Sequence, residues 1–517
     1  MTARSGWLAA GVAALACVLG LGLGRPARDF GRPRLVVVGI DGGEWKVIRR
    51  LWREGRLSNL RSLAGRGATA TLHTAYNSSP VIWTTVATGV VPKVHGITGF
   101  VVPTPQGDVP VSSTVRRVPA LWNMTTRTGL RAAVLGWWGS WPAEEIDGVV
   151  VTDRALFDVP SRVSPASYLP TFEADLAASD REPGLFLPTD REERRDRVMA
   201  RTAEKLVREG YDLVLLYFRS PDLISHHYWK HFEPEGFPGA DPGEVAAHAN
   251  EIPRIYEAVD RELGRIVAAA GGKANVVVLS DHGFRAAKSE EVKVSFDLDL
   301  VLERLGHLER KRDGTTDCAR STVYTYASPH FQRFKRLRLC AGRNRDEVFA
   351  SLAEDLATVT NPAGEPVLTV RPARPRRGET GDFVAVLAVD RITRRTLLVN
   401  GQPFAGAVKS ISRISGTHYR DSHGIFLAAG PDIDPAADLT GIRVHDVAPT
   451  LLYGLGLPVG EDFAGKARVE LYTASFRRSR PLRAIPTWGT MRPAGEVSRS
   501  ARDEELLNEL RALGYIR

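Results

Sequence analysis

The sequence predicts an α/β fold: a central, mostly parallel sheet flanked by helices, with an inserted cap subdomain. Three observations carry that expectation. Five short apolar runs recur, "LVVVGID" (35–41), "AAVLGWW" (132–138), "YDLVLLYF" (211–218), "NVVVLSD" (275–281) and "GIFLAAG" (424–430), and they flow into Gly, Asp or Ser. Unbroken Val/Leu/Ile runs of this length belong to strands covered on both faces, the usual setting of a parallel sheet. Helical periodicity lies between them, and residues 285–410 interrupt the alternation with polar, Arg-rich and Pro-rich sequence read as the cap. At 517 residues the chain is long enough to bury a core of that size.

Taken in order, residues 6–24, "GWLAAGVAALACVLGLGLG", form nineteen uncharged positions between Arg4 and Arg25. A span of about 20 residues crosses a bilayer, and the Ala/Gly richness equally suits an export signal, so residues 1–24 read as a signal peptide or membrane anchor and 25–33 as a linker. The remainder is expected to be exported, periplasmic or extracytoplasmic. "ALAC" places Ala where a lipoprotein cleavage site wants Leu, which argues against a lipid-modified Cys17.

Residues 34–472 read as one domain. Within it, Ile252, Ile255, Tyr256, Val259, Leu263, Ile266 and Val267 step at three and four residues, and Gly271 and Gly272 stop that helix before the next strand. Pro80 opens "PVIWTTVATG", and Pro at a first helical position makes Ser79 the expected N-cap. Residues 473–499 are Pro- and Arg-rich and read as a linker-like tail. The last stretch, 500–517, "SARDEELLNELRALGYIR", pairs Ser500 and Asp503 in a capping-box pattern and sets Leu506, Leu507, Leu510 and Leu513 on one helical face. This helix is expected to dock on the core.

Composition narrows the function classes. The formal net charge is +9, from 69 Lys and Arg against 60 Asp and Glu, which favours anionic substrates or a membrane surface. The basic runs "RFKRLRLC" (333–340) and "RPARPRR" (371–377) lack the interleaved aromatics and fold motifs of a nucleic-acid reader, so nucleic acid is not the expected main partner. Cys318 and Cys340 can pair in an oxidising compartment, and no CxxC or cysteine zinc spacing occurs.

Ligands in open α/β sheets gather beyond the carboxyl ends of the strands. Four such places carry metal-type side chains: Asp41 in "VVVGIDGG", Asp222 and His226 in "RSPDLISHH", Asp281 and His282 in "VVVLSDHG", and His418 in "SGTHYRDSHG". Carboxylates massed together repel and call for a cation. Three Asp and three His offer mixed oxygen and nitrogen donors, which suit zinc better than calcium and are enough for two ions. Two-metal sites serve displacement at phosphorus, which also requires a hydroxyl able to bridge into the cluster. The stretch "NSSPVIWTTVATGVVPKVHGI" (77–97) supplies several: Ser78, Ser79, Thr84 and Thr85, besides a turn histidine, His95, expected to be structural.

Together, "IDG" (40–42), "SPVIWTTVATGVVPKVHGI" (79–97), "DLISH" (222–226), "SDHG" (280–283) and "GTH" (416–418) resemble the type I phosphodiesterase / nucleotide pyrophosphatase family of the alkaline phosphatase superfamily. The resemblance implies an alkaline phosphatase-like fold, two zinc ions and a nucleophile nine positions before the Thr of a "TG" pair; here that pair is Thr88 and Gly89, and the nucleophile is Ser79. It implies further that Asp41, Ser79, Asp281 and His282 hold one ion, that Asp222, His226 and His418 hold the other, and that a phosphoseryl intermediate forms and is hydrolysed. His423 competes with His418 for the last place. Where nucleotide pyrophosphatases place an Asn, twenty-one residues after the nucleophile, this chain has Phe100. Ile82 stands where a sulfatase motif requires Arg, which disfavours that relative. The resulting expectation is an exported phosphoesterase acting on a phosphate ester. The alternatives are a phosphoethanolamine-type transferase acting on lipid or glycan, and a zinc-binding homologue with little turnover.

Overall fold

The computed structural model describes residues 35–516 apart from 105–106, 180–189, 326–329, 332, 374–381, 492–496 and 513–514. The apolar segment 6–24 and Leu513 lie outside the described residues. Among the described residues no helix is long and apolar enough to cross a membrane.

Eight strands form the central sheet: β1 (Leu35–Ile40), β2 (Ala68–Leu72), β3 (Ala132–Leu135), β4 (Gly148–Val151), β5 (Val163–Ser164), β6 (Leu213–Phe218), β7 (Asn275–Leu279) and β8 (Gly424–Ala429). Their order is β2-β8-β7-β1-β6-β3-β4-β5. The five central strands, β7 to β4, are parallel, whereas β8 runs antiparallel to β7 and β2, and β5 antiparallel to β4. The apolar runs are explained by two cores. Val36, Val38 and Ile40 enter one cluster and Leu35 and Val37 the other, and β6 divides in the same way, because successive side chains point to opposite faces.

The third run ends sooner than its composition implies. β3 stops at Leu135, since Gly136 turns the chain at φ 70° and Trp137 drops under the sheet against Trp83, ring centroids 5.0 Å apart. Gly39 on β1 makes room for this pair: a Cβ there would stand 2.6 Å from the Trp83 ring. The periodic helix spans Glu251–Ala270 and ends at Gly271 in the left-handed region, φ 60°.

Between β7 and β8 the chain builds a separate body. Strands Arg285–Asp297 and Val408–Thr417 pair antiparallel as a stem, so the insertion extends a few residues past 410. Above the stem, a four-stranded sheet and two helices enclose their own apolar cluster, with Phe296, Leu302, Leu352 and Phe383 fully buried. Cys318 and Cys340 are joined in a disulfide in this body, Cα atoms 5.3 Å apart.

Residues 473–499 carry a short helix, Ala474–Ser479, and a two-residue strand, Ala484–Ile485, paired with Val459–Gly460. The C-terminal helix, Asp503–Ala512, begins where Ser500 N–H donates to Asp503 Oδ2 at 3.0 Å. It packs along the stem strands, burying Leu507 and Leu510, and Asp503 pairs at 2.8 Å with the buried Arg154.

Candidate active site

The parallel strands β7, β1 and β6 lie side by side, so the residues that follow them meet at one edge of the sheet. Asp41 follows β1, and Asp281 and His282 follow β7; all three are buried. Asp222 sits in the first turn of a helix, Ser220–Phe232, that follows β6, and His226 lies one turn later on the same face. His418 arrives by a different route. Because β8 is antiparallel to β7, the chain entering β8 comes in at the carboxyl edge of the parallel strands, and His418 closes the cluster there.

The side chains form two groups, Asp41–Asp281–His282 and Asp222–His226–His418, each with its donor atoms within 4.8 Å of one another. His282 joins them. Its Nε2 is 3.5 Å from Asp41 Oδ1, 3.4 Å from Asp281 Oδ2 and 3.8 Å from Asp222 Oδ1, and its ring stacks on His418 at 3.6 Å. Asp222 Oδ1, Asp281 Oδ2 and His418 Nδ1 are buried with no hydrogen-bond partner. Buried polar atoms are otherwise almost always satisfied, so three orphans among donors that converge fit divalent ions.

The histidines are oriented by backbone carbonyls. Gly416 O accepts from His226 Nδ1 at 3.0 Å and Gly283 O from His282 Nδ1 at 3.1 Å, which leaves each Nε2 lone pair facing the carboxylates. Gly416 is required for this contact, since a Cβ there would stand 2.1 Å from Ser225 O.

Burial, then Asp222, raises the Asp41 carboxyl above its ordinary value, and burial followed by Asp41 pushes Asp281 well above it. Burial pushes Asp222 up too, but His226, His282 and His418 outweigh it and hold Asp222 below the usual carboxylate range. His418 is driven well below an ordinary imidazole by burial and the two neighbouring histidines. The cluster is thus short of positive charge on its Asp41–Asp281 side, which a cation would supply.

Ser79 reaches this cluster: its Oγ lies 3.4 Å from Asp41 Oδ1 and 3.5 Å from His282 Nε2. The helix it opens is Ser79–Thr88, and the expected cap shifts by one residue. Ser78, extended at φ −130°, is the N-cap, Ser79 is the first helical residue and Pro80 follows within the first turn. Thr84 and Thr85 are occupied, donating to Pro80 O at 2.7 Å and Val81 O at 2.8 Å within the helix. His95 accepts from Ile97 N–H and contacts Thr85 Oγ1, and burial, then Arg116, lowers it to about 3, as befits a structural residue. His423 stands apart from both groups, its ring 4.3 Å from His73.

Two phenols escaped the sequence reading. Tyr217, on β6, donates to Asp41 Oδ2, and Tyr515, from the chain's last residues, donates to Asp222 Oδ2 and lies 2.8 Å from His226 Nε2. Burial and the nearby carboxylates push both well above an ordinary phenol. An inward-facing Tyr in an apolar strand was a readable signal for the first; the second had none. A cavity of about 440 Å³ opens beside the cluster and is lined by Ser78, Phe100, His226, His418 and Tyr515 among others.

The sequence profile of the family described as type I phosphodiesterase / nucleotide pyrophosphatase matches residues 35–389. No curated protein matches the chain by sequence. Among solved structures, human ectonucleotide pyrophosphatase / phosphodiesterase 5 is similar at 17% identity over 85% of this chain and 100% of that one, TM-score 0.43. The murine protein in complex with AMP is similar at 17% over 86% and 100%, TM-score 0.42. Phosphonoacetate hydrolase from Sinorhizobium meliloti, bound to phosphonoformate, follows at 16% over 82% and 96%, TM-score 0.41. The family profile takes in the first strand, the serine helix and the two acidic strand ends that meet at the cluster, and the chain belongs to the type I phosphodiesterase / nucleotide pyrophosphatase family, a family of phosphoric ester hydrolases.

Proposed function

We propose that this chain is an exported, zinc-dependent phosphoesterase that cleaves a P–O bond through a phosphoseryl intermediate at Ser79. Asp41, Ser79, Asp281 and His282 would hold one ion and Asp222, His226 and His418 the other. Bound zinc supplies Lewis acidity, which makes a serine hydroxyl a competent nucleophile near neutral pH and neutralises charge developing on phosphate oxygens.

The observation that carries the reading is the position of Ser79 Oγ, 3.4 Å from Asp41 and 3.5 Å from His282, at the start of a helix. A helix N-terminus presents amide donors and positive dipole to a phosphoryl group. Ser79 Oγ bonds to phosphorus while the bond to the leaving alcohol breaks, and water then hydrolyses the phosphoseryl ester and restores Ser79. Export is supported by the uncharged run 6–24 and by the Cys318–Cys340 disulfide, a bond that persists in oxidising compartments.

The test is turnover of bis(p-nitrophenyl) phosphate and p-nitrophenyl phosphate by the zinc-loaded full chain. Ser79→Ala is expected to lower turnover by about a thousandfold or more. A phosphoserine at position 79 should be trapped by rapid acid quench of the wild type. Undiminished turnover in Ser79→Ala would sink the assignment.

A further inference from the structure

We propose that Tyr515 is a substrate-contacting residue of this site, its phenol hydroxyl donating a hydrogen bond to a non-bridging oxygen of the bound phosphoryl group; the inference rests on the phosphoesterase reading above. The side chain is built into the site. Its hydroxyl meets Asp222 Oδ2 and His226 Nε2, so it points at the second donor group. Its ring stacks on Phe100, centroids 4.6 Å apart and planes within 10°, and meets the His226 ring edge-on at 5.4 Å.

The segment that delivers it is anchored. Tyr515 N–H donates to Leu510 O at 2.9 Å, Leu507 and Leu510 are buried, and the helix is tied to the catalytic domain by Arg154–Asp503 and Arg191–Glu509. The C-terminal residues therefore form a wall of the same cavity that Ser78 and His418 line.

The chemistry follows from what the hydroxyl loses. Once His226 Nε2 and Asp222 commit lone pairs to a cation, the phenol O–H loses the imidazole as a partner and keeps only Asp222 Oδ2, whose charge is then drawn toward the ion. A half-buried donor beside weakened acceptors gains by turning to a stronger one, and the acceptor such a site recruits is an anionic phosphate oxygen. The lysine of this wall, Lys293, is already paired with Glu291 at 2.6 Å. The aromatic stack fixes the donor in place before substrate arrives, so little ordering is needed on binding.

Tyr515→Phe tests this, because it removes the hydroxyl and keeps the ring on Phe100. With the zinc-loaded full chain, calorimetry of inorganic phosphate binding should show affinity reduced by about tenfold to a hundredfold, the range for a hydrogen bond to a charged group. Zinc affinity, measured by chelator competition without phosphate, should stay within about threefold of wild type, since the backbone carbonyl and not the phenol orients His226; a partner that orients a ligand would cost about tenfold to a hundredfold. Unchanged phosphate affinity overturns the proposal, and so does failure of the zinc-loaded wild type to bind phosphate. Tighter phosphate binding in the variant also overturns it and makes the C-terminus a plug; zinc affinity falling in parallel overturns it and makes Tyr515 a ligand. Turnover separates this from the parent reading: if the wild type hydrolyses no phosphoester, the phosphoesterase reading fails while phosphate calorimetry still decides Tyr515.

Discussion

Asp281→Asn should make the metal-free protein more stable and the zinc-loaded protein less so. Asparagine keeps the shape of the side chain and the acceptor for Gly42 N–H, 3.3 Å away, but removes a charge. The donor atoms of Asp41 and Asp281 lie within 4.8 Å, where two ionised carboxylates repel by at least about 3 kcal/mol at an effective dielectric constant near 20. Burial and Asp41 already favour a protonated Asp281, which relieves part of that cost. The unpartnered Oδ2 adds a desolvation penalty that an amide beside His282 Nε2 would offset. We expect the metal-free variant to gain about 1–2 kcal/mol at about pH 8, read from urea unfolding of the full chain after chelator dialysis. Zinc acts in the opposite sense. Ligand at about one hundred times its Kd stabilises by about 2.7 kcal/mol per site, so the wild type should gain at two sites and the variant at one. A metal-free variant no more stable than wild type, or one with an undiminished response to zinc, would refute the reasoning.

Gly416→Ala should cost about 1–3 kcal/mol, because a Cβ 2.1 Å from Ser225 O forces the stem strand off its helix, and should weaken zinc binding about tenfold to a hundredfold as His226 loses its carbonyl; chelator competition reads the second effect. His95 stays neutral when folded, with its value lowered to about 3, whereas the unfolded chain protonates it below about pH 6.5. Stability should therefore fall as pH drops from about 6.5 toward 3, by about 2 kcal/mol at pH 5 from this group alone; His95→Gln should flatten that slope in urea midpoints measured at both pH values. Cys318→Ser opens a loop between cysteines 22 positions apart and should cost about 3 kcal/mol, matched by reduction of the wild type, and equal thermal midpoints with and without reductant would count against it.

Much of the site is legible because metal-type side chains directly abut short apolar runs. Asp41, Asp281 and His282 close strands whose composition announces burial on both faces, and Asp222 and His226 are four apart in one helix. Details set by a single peptide unit are less legible. The N-cap falls on Ser78 because Ser79 already takes helical dihedrals ahead of Pro80, and β3 ends at Leu135 because a left-handed Gly136 lets Trp137 dock on Trp83.

By itself, then, the amino-acid sequence determined the parallel core, the four places at its edge that carry metal-type side chains and the family, all of which depend on local apolar patterning and short spacings. Only the tertiary structure decided that Ser79, rather than Thr84 or Thr85, faces the carboxylates, that His418 and not His423 completes the second group, and that Tyr217 and Tyr515 reach in from 176 and 293 positions away along the chain. Such contacts leave no periodicity to read. They arise when β8 runs antiparallel and the last helix docks on the stem, and both are consequences of global packing.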